Sequence, residues 1–262
     1  MASTQGRVGT GDASLYYRID GPDDGPPVLL INSLGSALDL WSAQVEAWSN
    51  RFRVIRYDTR GHGQSGVPQG EYSIADLGND AVRVLDALGI ERAHICGISI
   101  GGLTTMWIGS NRGDRVRSLV IANTAAKVGT PERWIERVAR VRNEGLTAIA
   151  DLNMTTWFTP EFRAKSPETV RRLHRMVASS NPDGYIGCCA VLRDTDLRPG
   201  LKRITAPALV IGGSLDATTP VADAEFIREQ IPGALQLNLP SAHLSNVECA
   251  AVFSRMAGAF LT

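Results

Sequence analysis

His94-Ile95-Cys96-Gly97-Ile98-Ser99-Ile100-Gly101-Gly102-Leu103 decides how this chain is read. A short apolar, β-branched run ends in a glycine-flanked serine, and a segment of helical character, residues 103–110, follows. G-x-S-x-G between a strand and a helix is the nucleophile-elbow pattern: the turn holds its serine in strained backbone geometry, so the neighbours must be small. Gly97 and Gly101 supply that room. The pentapeptide alone arises by chance in many chains, and the strand before it and helix after it are what give it weight.

Working outward, six more apolar runs read as strands: residues 14–19, 28–31, 53–57, 118–122, 208–211 and 235–239. They are apolar almost throughout rather than alternating, which argues a mostly parallel sheet with helices on both faces, begun by an antiparallel N-terminal hairpin. Residues 73–88 give the clearest helix, with Ile74, Leu77, Ala81, Val84, Leu85 and Leu88 on one face, Ser73 and Asp76 as a capping box, and Gly89 as the stop. From residue 126 to 195 the alternation breaks. Residues 134–141, 146–154, 167–178 and 183–192 all read as helical with no strand between them, as expected of a cap inserted between two strands. The expected organisation is an α/β core in two parts, residues 1–125 and 196–262, around a helical cap at 126–195.

Composition excludes several classes of function. The 262 residues are 44% apolar and 21% charged, ordinary for a folded globular chain. Lys plus Arg equals Asp plus Glu at 27 each, so no cationic excess favours a nucleic acid. Residues 1–12 lack the basic start and apolar run of a secretory signal, and no stretch approaches the roughly 20 apolar residues that span a bilayer, so a soluble cytoplasmic protein without a membrane partner is expected. Cys96, Cys188, Cys189 and Cys249 form no disulfide framework, and His62, His94, His174 and His243 show no paired metal-ligand spacing. No metal and no cofactor are expected.

A serine hydroxyl is a weak nucleophile at neutral pH and needs a base in reach plus a third group to orient that base. On this architecture the acid and then the histidine follow the serine, each in a loop after a later strand. Residues 208–211 run into Gly212-Gly213-Ser214-Leu215-Asp216, and residues 235–239 end at Pro240-Ser241-Ala242-His243. Asp216 and His243 are therefore the expected partners of Ser99, although Asp216 also fits as a turn or cap residue ahead of a helix starting near Val221. His94 opens the nucleophile's own strand and His174 lies within a cap helix. His62, in Asp58-Thr59-Arg60-Gly61-His62-Gly63-Gln64-Ser65, precedes the serine and is assigned a structural role. For the oxyanion, the expected donors are the backbone amides of Ile100, next after the nucleophile, and Leu34, in the loop Asn32-Ser33-Leu34-Gly35.

These segments resemble the α/β-hydrolase-fold enzymes, and among them the 3-oxoadipate enol-lactonases, also called β-ketoadipate enol-lactone hydrolases, of bacterial aromatic catabolism. The resemblance runs through residues 32–35, 56–63, 97–102, 212–220 and 242–246. Elbow and triad identify only the superfamily, while Asn32-Ser33-Leu34-Gly35 and Ala242-His243-Leu244-Ser245-Asn246 point to the lactonases. Two departures stand out: Asn32-Ser33 replaces a common His-Gly start, and Ile98 and Ile100 replace Leu and Met. What the resemblance implies is a small anionic lactone substrate, an acyl-enzyme on Ser99, no cofactor, and a cap cation for the substrate's acetate arm. Of Arg133, Arg137, Arg140, Arg142, Arg163, Arg171, Arg172, Arg175 and Arg193, most read as solvated helix charges; Arg133 and Trp134, which open the first cap helix, are the chosen binding candidates, with Trp157 as a further pocket wall. The same triad also serves other carboxylesterases, carbon–carbon bond hydrolases, perhydrolases and ligand receptors of this fold, and the cap chooses among them.

Overall fold

The computed structural model describes residues 3–262. Eight strands form one sheet: β1 (Thr4–Val8), β2 (Leu15–Asp20), β3 (Pro27–Ile31), β4 (Arg53–Tyr57), β5 (Ala93–Ile98), β6 (Val116–Ala122), β7 (Ala208–Gly213) and β8 (Leu235–Leu239). Their spatial order is β1-β2-β4-β3-β5-β6-β7-β8. β1 and β2 make the antiparallel hairpin expected at the N-terminus, β2 lies antiparallel to β4, and every other neighbouring pair is parallel. Val28, Leu29, Leu30, Ile95, Cys96, Leu119, Val120 and Ile121 are completely buried, which is why these strands show no polar alternation. Truncating any of the large ones to alanine should cost about 2–5 kcal/mol.

The helices are α1 (Ser42–Trp48), α2 (Ile74–Ala87), α3 (Ile100–Asn111), α4 (Pro131–Trp157), α5 (Pro160–Lys165), α6 (Pro167–Ala178), α7 (Pro182–Asp194), α8 (Val221–Gln230), α9 (Ser245–Glu248) and α10 (Ala250–Phe260). The capping box at the start of α2 is present: Asp76 N–H donates to Ser73 Oγ at 3.1 Å, and Ser73 N–H donates to Asp76 Oδ2 at 2.8 Å. α1 packs on α10, fastened by Trp48 Nε1–H to Ser254 O at 2.8 Å, and α2 packs on α3.

Four helices, α4 to α7, fill the chain between β6 and β7. Each begins with proline in its first turn, where the missing N–H is no loss, and Thr130, Thr159 and Asn181 accept amide hydrogen bonds as caps. The helical runs expected at 134–141 and 146–154 are both present: α4 is two helical segments meeting at a kink at Gly145, whose φ of 76° and ψ of 178° are not helical. This insertion sits over the carboxyl ends of the parallel strands. Leu244, beyond β8, donates its N–H to Trp157 O at 3.2 Å, and Gly35, beyond β3, lies against the Tyr185 ring. Gly61, beyond β4, meets Gly184 backbone to backbone: a Cβ on Gly61 would stand 2.4 Å from Gly184 Cα.

Candidate active site

Ser99 sits between β5 and α3 with φ 59° and ψ −122°, a backbone conformation that L-residues rarely adopt. The glycines of the elbow explain how the chain tolerates this. A Cβ on Gly97 would lie 2.1 Å from Gly101 O, and a Cβ on Gly101 would lie 2.2 Å from Ile31 O. Larger residues at either position would force the turn open, so the strained serine is held by close backbone contact on both sides. Ser99 itself remains partly accessible, while the residues on either side of it are buried.

Three segments from distant parts of the sequence then meet. His243 Nε2 lies 3.0 Å from Ser99 Oγ, and His243 Nδ1 lies 2.8 Å from Asp216 Oδ2. A carboxylate can only accept, so Nδ1 carries the hydrogen and Nε2 presents its lone pair to the serine hydroxyl. Asp216 is buried, which on its own would favour the neutral acid. Its partners reverse that. The carboxylate accepts from His243, from the amides of Thr218 (2.8 Å) and Thr219 (3.1 Å), from Thr219 Oγ1–H (2.8 Å) and from Asn123 Nδ2–H (3.2 Å). Against the cost of burial, the adjacent imidazole and these donors hold Asp216 down to about 2.

Asn123, just beyond β6, escaped the sequence reading. Apart from Ser99 it is the sole non-glycine residue with positive φ among the described residues, at 40°. Its side chain touches Asp216 and the residues on either side of the histidine: Nδ2–H donates to Asp216 Oδ2 and to Ala242 O, each at 3.2 Å, while Oδ1 accepts from Ser245 Oγ–H. An asparagine directly after a parallel strand, at the edge where the serine loop also emerges, was the available signal, because asparagine tolerates the left-handed region. Asn246 continues the same locking with Nδ2–H to Leu40 O at 3.4 Å, and Gln44 Nε2–H reaches Asn246 O at 2.9 Å. The Ala-His-Leu-Ser-Asn segment is thus a set of hydrogen-bonding residues that fix the histidine loop.

The loop after β3 carries Leu34, and Ile100 begins α3, so both expected amide donors lie where β3 and the elbow touch. His62 props this loop: Gly35 N–H donates to His62 Nε2 at 2.9 Å, and His62 Nδ1 lies 3.1 Å from Arg60 O. Burial holds its pKa below the ordinary imidazole value. Asp58, accepting from Leu38 and Gln64 N–H at 2.8 Å each, is pushed up by burial to about 6.

The cap candidates separate. Trp134 is buried, with its indole N–H spent on Val128 O at 2.7 Å, and it faces a groove of about 960 Å³ bounded also by Pro68, Ile135, Val138 and Ile186 that none of the three polar residues above lines. Trp157 is buried and uses its carbonyl to hold Leu244. Arg133 is half-buried with its guanidinium 5.6 Å from the Trp134 ring centroid; burial and then Arg137 disfavour its charge, while Asp216 favours it. Arg137, one helical turn further on, has only neutral partners in hydrogen-bond contact, Asn153 Oδ1 at 3.2 Å and the Tyr185 hydroxyl at 3.3 Å. Tyr185 lies against Gly35, so it links Arg137 to the loop bearing Leu34. Arg140, Arg171 and Arg193 instead pair with Glu144, Glu168 and Glu71. Among the described residues no cluster of His, Cys, Asp and Glu could hold a metal, and no helix is long and apolar enough to cross a membrane.

Comparison with known proteins gives the same frame. The family model for the alpha/beta hydrolase fold matches residues 26–248. A protein of Acinetobacter baylyi named 3-oxoadipate enol-lactonase 2 is 44% identical over 90% of this chain and 89% of its own length. A second from that organism, 3-oxoadipate enol-lactonase 1, is 38% identical over 90% of this chain and 88% of its own. The crystal structure of the enol-lactonase from Burkholderia xenovorans LB400 superposes with a TM-score of 0.95 at 38% identity, covering 98% of this chain and 99% of that one.

Proposed function

The chain belongs to the α/β-hydrolase family and is a hydrolase, and from that premise we propose that it opens the enol lactone of 3-oxoadipate through an acyl-enzyme on Ser99. The hydrogen-bonded line from Ser99 Oγ through the His243 imidazole to Asp216, with gaps of 3.0 and 2.8 Å, is the observation that carries the reading. The names of the similar lactonases support the substrate, and with it a place in aromatic catabolism by the β-ketoadipate pathway.

In this mechanism Ser99 Oγ attacks the lactone carbonyl carbon as His243 Nε2 takes its proton. Asp216, ionised throughout, stabilises the imidazolium and keeps its orientation. The negative charge that develops on the carbonyl oxygen is met by the amides of Leu34 and Ile100. Collapse breaks the ring C–O bond; the enol oxygen leaves with the proton held by His243 and ketonises. Water, deprotonated by the same imidazole, then cleaves the serine ester. Arg133 and Arg137 receive the acetate arm in this reading, supported by Arg137 having only Asn153 and Tyr185 as hydrogen-bond partners, by Tyr185 packing against Gly35 in the loop bearing Leu34, and by Arg133 lying one turn before it. Guanidinium–carboxylate bonds of this kind are about twice as strong as neutral ones.

Initial rates on the enol lactone, a simple aryl ester and a vinylogous diketone test the proposal. The expected result is a kcat/KM preference for the lactone of about tenfold or more, since a site built around a charged group rejects substrates that leave it unpaired. Preference for the aryl ester would overturn the substrate, and turnover that stalls after one equivalent would replace the enzyme by a receptor.

A further inference from the structure

Glu248 closes α9, four residues of helix directly beyond the histidine loop, and its carboxylate has no cation in ion-pair contact among the described residues. It works instead as a triple acceptor. Oε2 accepts the N–H of Ala242 at 2.9 Å; Oε1 accepts the N–H of Thr159 at 3.1 Å and also the Thr159 hydroxyl hydrogen. Ala242 immediately precedes His243, and Thr159 caps α5 within the inserted helices. On the other side of His243, Leu244 N–H is held by Trp157 O. Both flanks of the imidazole are therefore fastened to one corner of the cap, residues 157–159, at the end of the helical segment that follows the break at Gly145.

From this we infer that Glu248 is a positioning residue that ties the orientation of His243 to the seating of the cap. The inference rests on the triad reading above. A half-buried carboxylate spends solvation unless several hydrogen bonds replace it, and all three donors here come from the two segments being joined. The bridge makes this corner of the cap and the general base move as one body. A displacement of about 1 Å between base and nucleophile costs on the order of a hundredfold in rate, so a strut of this kind acts on kcat rather than on binding.

The test measures kcat and KM on the enol lactone, and the second-order rate of Ser99 phosphonylation by a fluorophosphonate, for Glu248→Ala, Thr159→Ala and Thr159→Ser, with Ser99→Ala and His243→Ala as controls. Glu248→Ala should lose about tenfold to a hundredfold in kcat and in phosphonylation with KM held within about twofold. Thr159→Ala should lose less, and Thr159→Ser, which keeps the hydroxyl, should recover the loss. If Glu248→Ala fails to fold, the Thr159 pair carries the test alone. Wild-type phosphonylation in a folded Glu248→Ala, or equal defects in Thr159→Ala and Thr159→Ser, would overturn the positioning role. Turnover persisting in Ser99→Ala would instead overturn the triad reading beneath it.

Discussion

The strand ends around Ser99 and the helices above them are held by different means. At the strand ends, Asp216 accepts from four residues and Asn123 spans Asp216, Ala242 and Ser245, all of them buried. In the cap, charge lies in exposed pairs such as Arg140 with Glu144 and Lys165 with Glu161, which contribute little because solvent screens them, and the proposed recognition of the substrate rests on two arginines that have only neutral hydrogen-bond partners or an aromatic face. In the proposed mechanism, reaction type is set where atoms must stand within hydrogen-bond reach, and substrate choice where a cation is left without an acidic partner.

The sharpest test of this contrast strikes the strand ends. Ser99→Ala should remove turnover by about 10⁶-fold, as losing this group does in other hydrolases, with thermal stability retained; activity within tenfold of wild type would break the comparison at its base. Asp216→Asn should cost about 10⁴-fold in kcat while the fold persists, because an amide at this place favours the wrong imidazole tautomer. Asp223, partly buried with its N–H on Pro220 O and outside hydrogen-bond contact with His243, is the control carboxylate: Asp223→Asn should leave kcat within about twofold.

A milder effect is expected from the cap. Arg137→Met keeps the length and apolar stem of the side chain and removes the charge, so KM for the anionic lactone should rise by about tenfold to a hundredfold while a neutral aryl ester is hydrolysed as before. Arg133→Met should behave likewise. Steady-state kinetics on the two substrates check this; equal losses on both would move the two arginines from recognition to structure.

The contrast also explains what could be read from the chain alone. The elbow was legible because backbone crowding at Gly97 and Gly101 leaves no alternative residue, and the positions of Asp216 and His243 followed from the strands before them. The cap helices were visible as apolar periods, including the two segments of α4 on either side of the break at Gly145, except that α5 is too short to show a period. α3, buried nearly all round, has no polar face to mark its extent. Asn123 and Glu248 stayed hidden because their partners lie far away in sequence, up to 122 and 89 residues for Ser245 and Thr159. Singling out Arg137 required knowing which arginines already had acids beside them.

The smallest effect sits between the two regions, at His62. Its Nε2 accepts Gly35 N–H and its Nδ1 faces Arg60 O, so the folded protein needs the imidazole neutral, and burial lowers its pKa from the ordinary value of about 6.5. The unfolded chain therefore binds the proton more readily. The stabilisation is complete above about pH 6.5 and is lost as pH falls toward the folded-state value. Asp58, raised to about 6, slopes the other way, gaining stability on acidification, so the wild-type curve alone does not isolate the histidine. Its difference from His62→Gln does. Glutamine can still accept the Gly35 hydrogen but cannot titrate, so the variant should be less stable by about 1 kcal/mol at pH 7.5, and the gap should close toward pH 5. Urea melts across this range provide the measurement. Parallel curves would mean that His62 does not titrate beneath the loop, and a rate defect larger than the stability defect would place it with the strand-end machinery rather than under it.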